Sequence, residues 1–402
     1  MPRVTNFNRE ILKLVAERIG GNITVEFPKL ADWLSGGPYP TVKQLAEFAR
    51  AVRIPFGYFF LDKLPELRTG VPLFRTEEAL PTENYSDELR DTIRIIQSRQ
   101  EWLKEYLLNE GVTPLPFVNS FRETDDPLEV AREIRKTLQL LDDWAGSMPN
   151  WEKALKYLLD KAEEAGIYLT INGVVENNTH HPLNPDEFRG FVLTDNYAPY
   201  IFINGKDFTA AKMFTLAHEL AHIWLGKSAA FDLQFVHPSE DTVEIFCNQT
   251  AAEFLVPQHL LQKKWEQIKY SSDPIEEVAR QFKVSQIVAA RRLLDTRKLT
   301  QKQFFEFYNN YQTRWQASQK TKKPGGDFYN TQYYRVGKLF FRQVLTAAKE
   351  GKLLYADAYK LTGLYGKTFS RFENEFFNKI CPSNFSVIQI TLLSINKLSA
   401  AD

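Results

Sequence analysis

The residues best suited to chemistry are His218-Glu219-Leu220-Ala221-His222. They lie inside Phe208 to Leu225, whose spacing predicts a helix stopped by Gly226. Histidines four positions apart share one helix face, so both imidazoles can reach a single ion while the glutamate between them projects to the ion's open side. Two neutral imidazoles beside a carboxylate suit zinc and the activation of a water. Glu219 has no ligand role at its spacing, so proton transfer, as the general base, is the task it is assigned.

Catalytic zinc takes three protein ligands and keeps a fourth position for water. The next helical stretch, about Asp241 to Leu255, offers Glu244, twenty-two positions beyond His222, which leaves room for a loop and a return onto the first helix. Asn248, one turn later on the same face, can bond the outer nitrogen of a ligand histidine and fix its tautomer. Glu253 falls on nearly the opposite face and reads as a salt-bridging side chain. Cys247 reads as a small buried side chain, since the fourth position is needed for water. Of the other histidines, His180, His181, His237 and His259 sit in loop patterns. One of them, or a tyrosine such as Tyr197, is available to stabilise an oxyanion, and the sequence does not choose.

Several elements must position this group. Ser86 to Glu110 reads as one long amphipathic helix, a second begins at Asp125-Asp126-Pro127 and runs through Leu138, and a third spans Trp151 to Ala165. The period then changes. Ile167 to Ile171 is a short strand, and Phe188 to Thr194 with Tyr200 to Ile203 forms a hairpin around Asp195-Asn196. The strand Tyr200, Ile201, Phe202, Ile203, Asn204, directly before the metal-motif helix, is expected to be an edge that pairs with an extended substrate peptide. Pro274 to Leu294 has the shape of a helix-turn-helix that packs on the rest, with Arg291-Arg292 as its only argument for phosphate contact. Beyond Thr300 the composition turns aromatic, asparagine- and lysine-rich, as in the core of a small C-terminal domain or a surface that stacks on bases.

The chain of 402 residues has 50 Lys plus Arg against 50 Asp plus Glu, so no global charge draws it to nucleic acid or anionic lipid. No stretch is long and apolar enough to cross a bilayer. Only Cys247 and Cys381 are present, too few for a disulfide framework or a thiolate cluster, and a soluble cytoplasmic protein is expected.

The stretch from Trp151 to Pro257 resembles the ImmA/IrrE family of zinc metallopeptidases. The residues carrying the resemblance include Asn177-Asn178-Thr179-His180, Glu187-Phe188-Arg189-Gly190-Phe191, Ala198-Pro199-Tyr200-Ile201-Phe202-Ile203-Asn204, the run from Met213 to His222 and the run from Cys247 to Pro257. The resemblance implies a gluzincin-like fold with a small sheet and an active-site helix. It carries metal ligation onto His218, His222 and Glu244 and the general base onto Glu219. Leu30 to Gly36, Pro40-Thr41 and Pro55 to Leu61 look like the Xre-type helix-turn-helix unit fused ahead of this peptidase in many members. There, Gly20 to Pro28 occupies the place of a first helix that its glycines, β-branched residues and proline disfavour. DNA binding by this unit stands against a degenerate dimerisation or docking role, and with the latter a homodimer.

The expected fold class is α+β and mostly helical. It comprises a helix-turn-helix-like unit over 1–65, a linker and long helix over 66–125, a zinc metallopeptidase domain over 126–300 with a helix-turn-helix-like end at 274–294, and a C-terminal domain over 301–402. The expected function is Zn2+-dependent hydrolysis of a peptide bond in a protein substrate, which similarity to the family suggests is a transcriptional repressor. The alternatives are a DNA-binding regulator, or an antitoxin-like partner of a PIN-like ribonuclease toxin.

Overall fold

The computed structural model describes residues 3–19, 27–52, 56–61, 63, 85–231, 242–318 and 328–380. The chain divides into two compact units, Met1–Arg68 and Thr69–Asp402.

The first unit holds α1 (Arg9–Ile19), α2 (Leu30–Ser35), α3 (Val42–Ala51) and a 3-10 turn at Phe56–Phe60. Its core is Ile11, Leu12, Leu30, Trp33, Leu45, Phe48 and Phe59. Thr41 and Gln44 form a reciprocal cap at the start of α3, the Thr41 hydroxyl accepting from the Gln44 amide at 3.2 Å and the Gln44 side chain from the Thr41 amide at 2.9 Å. Most of the broken pattern from Gly20 to Pro28 lies outside the described residues, as do the linker expected around Val71 to Pro81 and His237.

In the second unit, α4 (Asp87–Asn109), α5 (Pro127–Thr137) and α6 (Trp151–Glu164) precede the sheet. Ser86, Asp126 and Asn150 cap them, each side chain accepting a first-turn amide. The strands are β1 (Tyr168–Asn172), β2 (Val174–Val175), β3 (Asn178–Pro182), β4 (Gly190–Leu193) and β5 (Tyr200–Asn204). Next come α7 (Thr209–Leu225), β6 (Ala229–Phe231), α8 (Thr242–Leu255), α9 (Gln258–Ile268), α10 (Pro274–Phe282) and α11 (Gln286–Asp295). The C-terminal helices are α12 (Gln301–Ser318), α13 (Phe328–Val336), α14 (Lys338–Lys349), α15 (Tyr355–Thr362) and α16 (Gly366–Ile380). The fold is α+β and mostly helical, and none of the described helices is long and apolar enough to cross a membrane.

The main sheet runs β1-β5-β4-β6, with β1 parallel to β5 and the other neighbours antiparallel. Here the structure corrects one expectation. Tyr200, Ile201, Phe202, Ile203 and Asn204 do not form an edge: β5 is bonded to β1 on one side and β4 on the other, and all five residues are buried. Its amide and carbonyl groups are taken, so no substrate strand can add to it.

Alternate residues of each strand feed two different cores. Leu169, Val192, Ile201 and Ile203 face a core shared with α5 to α11, whereas Tyr168, Phe191, Tyr200 and Phe202 face α4 and the C-terminal helices through Phe340, Phe341, Phe369 and Phe372. The expected boundary at 300 therefore does not separate two units: residues on both sides of it lie in one, and the C-terminal helices supply half the cover of the sheet.

Candidate metal centre

Helix α7 is apolar on nearly every side, and Met213 to Leu225 are all buried. A helix of that kind runs through a core, so its polar residues must find partners among the side chains that pack on it. His218, Glu219 and His222 are each 0% exposed. Gly226, at φ 67°, takes the left-handed turn that ends α7. Phe208 stands at the other end with no side-chain cap; Asp207 beside it accepts from the Phe208 amide at 2.9 Å and pairs with Arg189 at 3.3 Å.

Helix α8 lies along α7 and delivers Glu244 and Asn248. Its C-terminal carbonyls are held by two buried arginines: Arg135 of α5 donates to Phe254 O at 2.7 Å and Arg292 of α11 to Val256 O at 2.9 Å. Arg292 also pairs with Glu253, whose carboxylate accepts the Gln258 amide at the start of α9. Glu253 is thus a structural ion-pair residue far along the helix from Glu244. Only Arg291 of the Arg291-Arg292 pair faces solvent, and it bonds Asp295 at 3.0 Å.

Among the described residues one group of side chains is arranged to hold a metal: His218, His222 and Glu244, with their donor atoms within 4.8 Å of one another. The Nε2 atoms of the two histidines are 3.0 Å apart, and Glu244 reaches them at 3.2 and 3.3 Å. A tetrahedron with zinc-to-nitrogen legs of about 2.0–2.1 Å has edges of about 3.3 Å, so the three donors already stand at nearly the spacing the ion requires. Asn248 accepts from His218 Nδ1 at 3.1 Å, which directs the lone pair of Nε2 toward the shared point. The histidines beside it hold the Glu244 carboxyl far below the usual carboxylate range despite its burial.

Glu219 has an unmet requirement. Both of its oxygens are buried without a hydrogen-bond partner among the described residues. Burial, with the Glu244 charge nearby, pushes its carboxyl well above the ordinary value. A carboxyl in this state needs a water or a substrate proton beside it, which is what a general base at a metal centre would have.

Strand β4 approaches this carboxylate through Gly190, a residue sequence reasoning quoted but gave no task. A Cβ there would stand 2.6 Å from Thr215 Cγ2, 2.8 Å from Phe202 O and 3.5 Å from Glu219 Oε1, so only glycine lets β4 lie flat on α7 at the level of the base. The other candidates lie elsewhere. Neither His180, His181 nor His259 joins the cluster: His181 bonds Glu88 at 3.0 Å and His259 faces Asp142 at 3.8 Å. Tyr197 packs against the aromatic core.

Residues 162–294 match the peptidase M78 family, described as the IrrE N-terminal-like domain. This segment is similar to the ImmA/IrrE-type peptidase domain. The match spans the sheet, both helices of the site and the Arg292 clamp, so the likeness to that peptidase family lies in this part of the chain. Residues 336–375 match a second family, DUF8813, a domain of unknown function. A search of curated proteins returned no match. The matched segment excludes α4 and the helices beyond α11, which complete the other side of its sheet.

Proposed function

We propose that the protein is a zinc-dependent metalloendopeptidase that cuts a peptide bond in a specific regulatory protein, a transcriptional repressor, in the cytoplasm. The observation that carries the reading is the convergence of His218, His222 and Glu244 on one point with the unpartnered Glu219 carboxylate beside it. The choice of a repressor rests on the family resemblance alone.

A zinc ion held by these three side chains would supply Lewis acidity and bring a water's pKa to about 7. Asn248 keeps His218 in the tautomer that ligates. Glu219, desolvated and close enough to feel the Glu244 charge, would take the proton of the attacking water and return it to the leaving amine. With β5 enclosed and β1 backed by Gly337, whose Cα would place a Cβ 2.3 Å from Leu169 O, the sheet edge left for an extended substrate among the described strands is that of β6, next to Gly190 and the base.

The test compares cells expressing wild type or Glu219→Gln by mapping new protein N-termini, with zinc measured on both purified chains. One zinc in each and new N-termini only with wild type are expected. Equal cleavage by Glu219→Gln, or no cleavage by wild type, would overturn the reading. Glu244→Ala is expected to lose the metal.

A further inference from the structure

The unit Thr69–Asp402 contains two helix pairs joined by three-residue turns, and their surfaces differ. In the first, α10 and α11 are joined across Lys283, Val284 and Ser285, with Lys283 at φ 54°. Its second helix is spent inward: Val288, Ala289, Ala290, Arg292 and Leu293 are buried, and the arginine that would meet a phosphate holds Glu253 instead. In the second pair, α15 ends at Thr362 and α16 begins at Gly366, with Gly363, Leu364 and Tyr365 between them and Gly363 in the left-handed region at φ 67°. A three-residue turn containing glycine between two short helices is the helix-turn-helix connection.

Here the second helix is half open. Phe369, Phe372 and Phe376 point into the aromatic core, while Lys367, Ser370, Arg371 and Asn374 are exposed. Spaced three and four apart, these four share one face and offer the hydrogen-bonding groups that read base edges and phosphates. Arg371 is two-thirds exposed, and its pairing with Glu375 at 3.5 Å within the helix is of the weak surface kind. Tyr365, also exposed, stands at the entry to the helix.

The turn is gripped from behind. Buried Arg99 of α4 donates to Leu361 O at 2.8 Å, and Asn177, between β2 and β3, donates to Gly363 O at 2.9 Å while accepting from Gln332 of α13. The face of α16 is therefore presented from a fixed support, as a recognition element requires. Residues 328–380 carry nine lysines and arginines against four carboxylates, and with Lys338, Lys349, Lys352 and Lys360 held in ion pairs, Lys367 and Arg371 are the cations this face offers.

We propose that the α15–α16 pair binds duplex DNA, with the exposed face of α16 in the major groove and Lys367, Ser370, Arg371 and Asn374 making the contacts. The inference does not depend on the peptidase reading, and it places DNA contact outside the N-terminal unit. The test is selection from a pool of random duplexes with the full-length chain, followed by titration of the enriched duplex over a range of salt. Enrichment of a common sequence is expected. The double variant K367E/R371E should weaken its binding at least about tenfold and flatten the salt dependence by about two counterions. R291E, on the inward-turned pair, should leave binding unchanged. The neutral variant S370A/N374A, which keeps the charge, should alter the preferred sequence. Failure to enrich any sequence, or binding that survives K367E/R371E and S370A/N374A unaltered, would overturn the proposal. Circular dichroism on each variant guards against loss of fold.

Discussion

The two faces of the central sheet are built from the same strands and do different work. The aliphatic face, with Ile201, Ile203 and Val192, meets a helix that buries two histidines and a glutamate; the aromatic face, with Tyr200, Phe202 and Phe191, meets helices whose buried polar residues include the structural clamps Arg99 and Gln332. Small branched side chains let α7 approach closely enough for its carboxylate to sit against Gly190. Large rings on the opposite face fill a wide gap and anchor a second layer. One face thus holds a reactive group at fixed distance, and the other provides the burial that keeps the sheet in place.

The largest effect should come from removing the second layer. Without residues 301–402 the rings of Tyr168, Phe191, Tyr200 and Phe202 lose their cover, at about 1.5–3 kcal/mol each against a total stability of about 5–15 kcal/mol. The truncated chain is expected to lose cooperative thermal unfolding and to bind hydrophobic dyes. A soluble, cooperatively folded 1–300 fragment would break the comparison.

Phe202→Ala, on the aromatic face, should cost about 3–5 kcal/mol by denaturant titration, while the zinc content of the folded fraction stays that of wild type. Loss of zinc at unchanged stability would mean that the faces are not separable.

The aromatic side also carries a pH response. Glu163 at the end of α6 accepts the Leu339 amide at 3.0 Å at the start of α14, and burial pushes its carboxyl up to about 7. Its unfolded value is near 4.5, so over the window between 4.5 and about 7 the unfolded chain releases a proton that the folded chain keeps. This contribution is full below 4.5 and declines as pH rises to about 7, by about 3 kcal/mol. Glu163→Gln should remove that slope and be the more stable protein at pH 8, measured by melting across pH. An unchanged slope would place the titrating group elsewhere.

The smallest expected stability change tests the reactive face. Gly190→Ala forces a methyl against Thr215 and Phe202 O at a cost of about 1–3 kcal/mol. Because that methyl also stands beside Glu219, turnover should fall by more than the stability loss explains. Full activity in the folded fraction would remove Gly190 from the site.

How far the sequence anticipated this depends on the range of the interaction. The caps at Ser86, Asp126 and Asn150, the glycine stop at 226 and the hairpin from β4 to β5 follow from neighbouring residues, and the elements they bound stand where those signals put them. The short strands β2, β3 and β6, helix α9 and the C-terminal helices α12 to α16 were not anticipated one by one. Arg291 and Arg292 looked equivalent in the sequence, yet helix rotation leaves one in solvent and buries the other against Glu253.

By itself, then, the sequence determined the spacing of His218, Glu219 and His222, because a helix makes residues four apart neighbours whatever surrounds it. It also narrowed the partner to Glu244 through the length of the intervening loop and the turn to Asn248. Only the tertiary structure decided that β5 lies inside the sheet, that the C-terminal helices share its core, and that α16 rather than α11 keeps a polar face open. Strand order and helix rotation depend on pairings between residues far apart in the chain, and local sequence signals carry no record of which partner a strand or a helix face will meet.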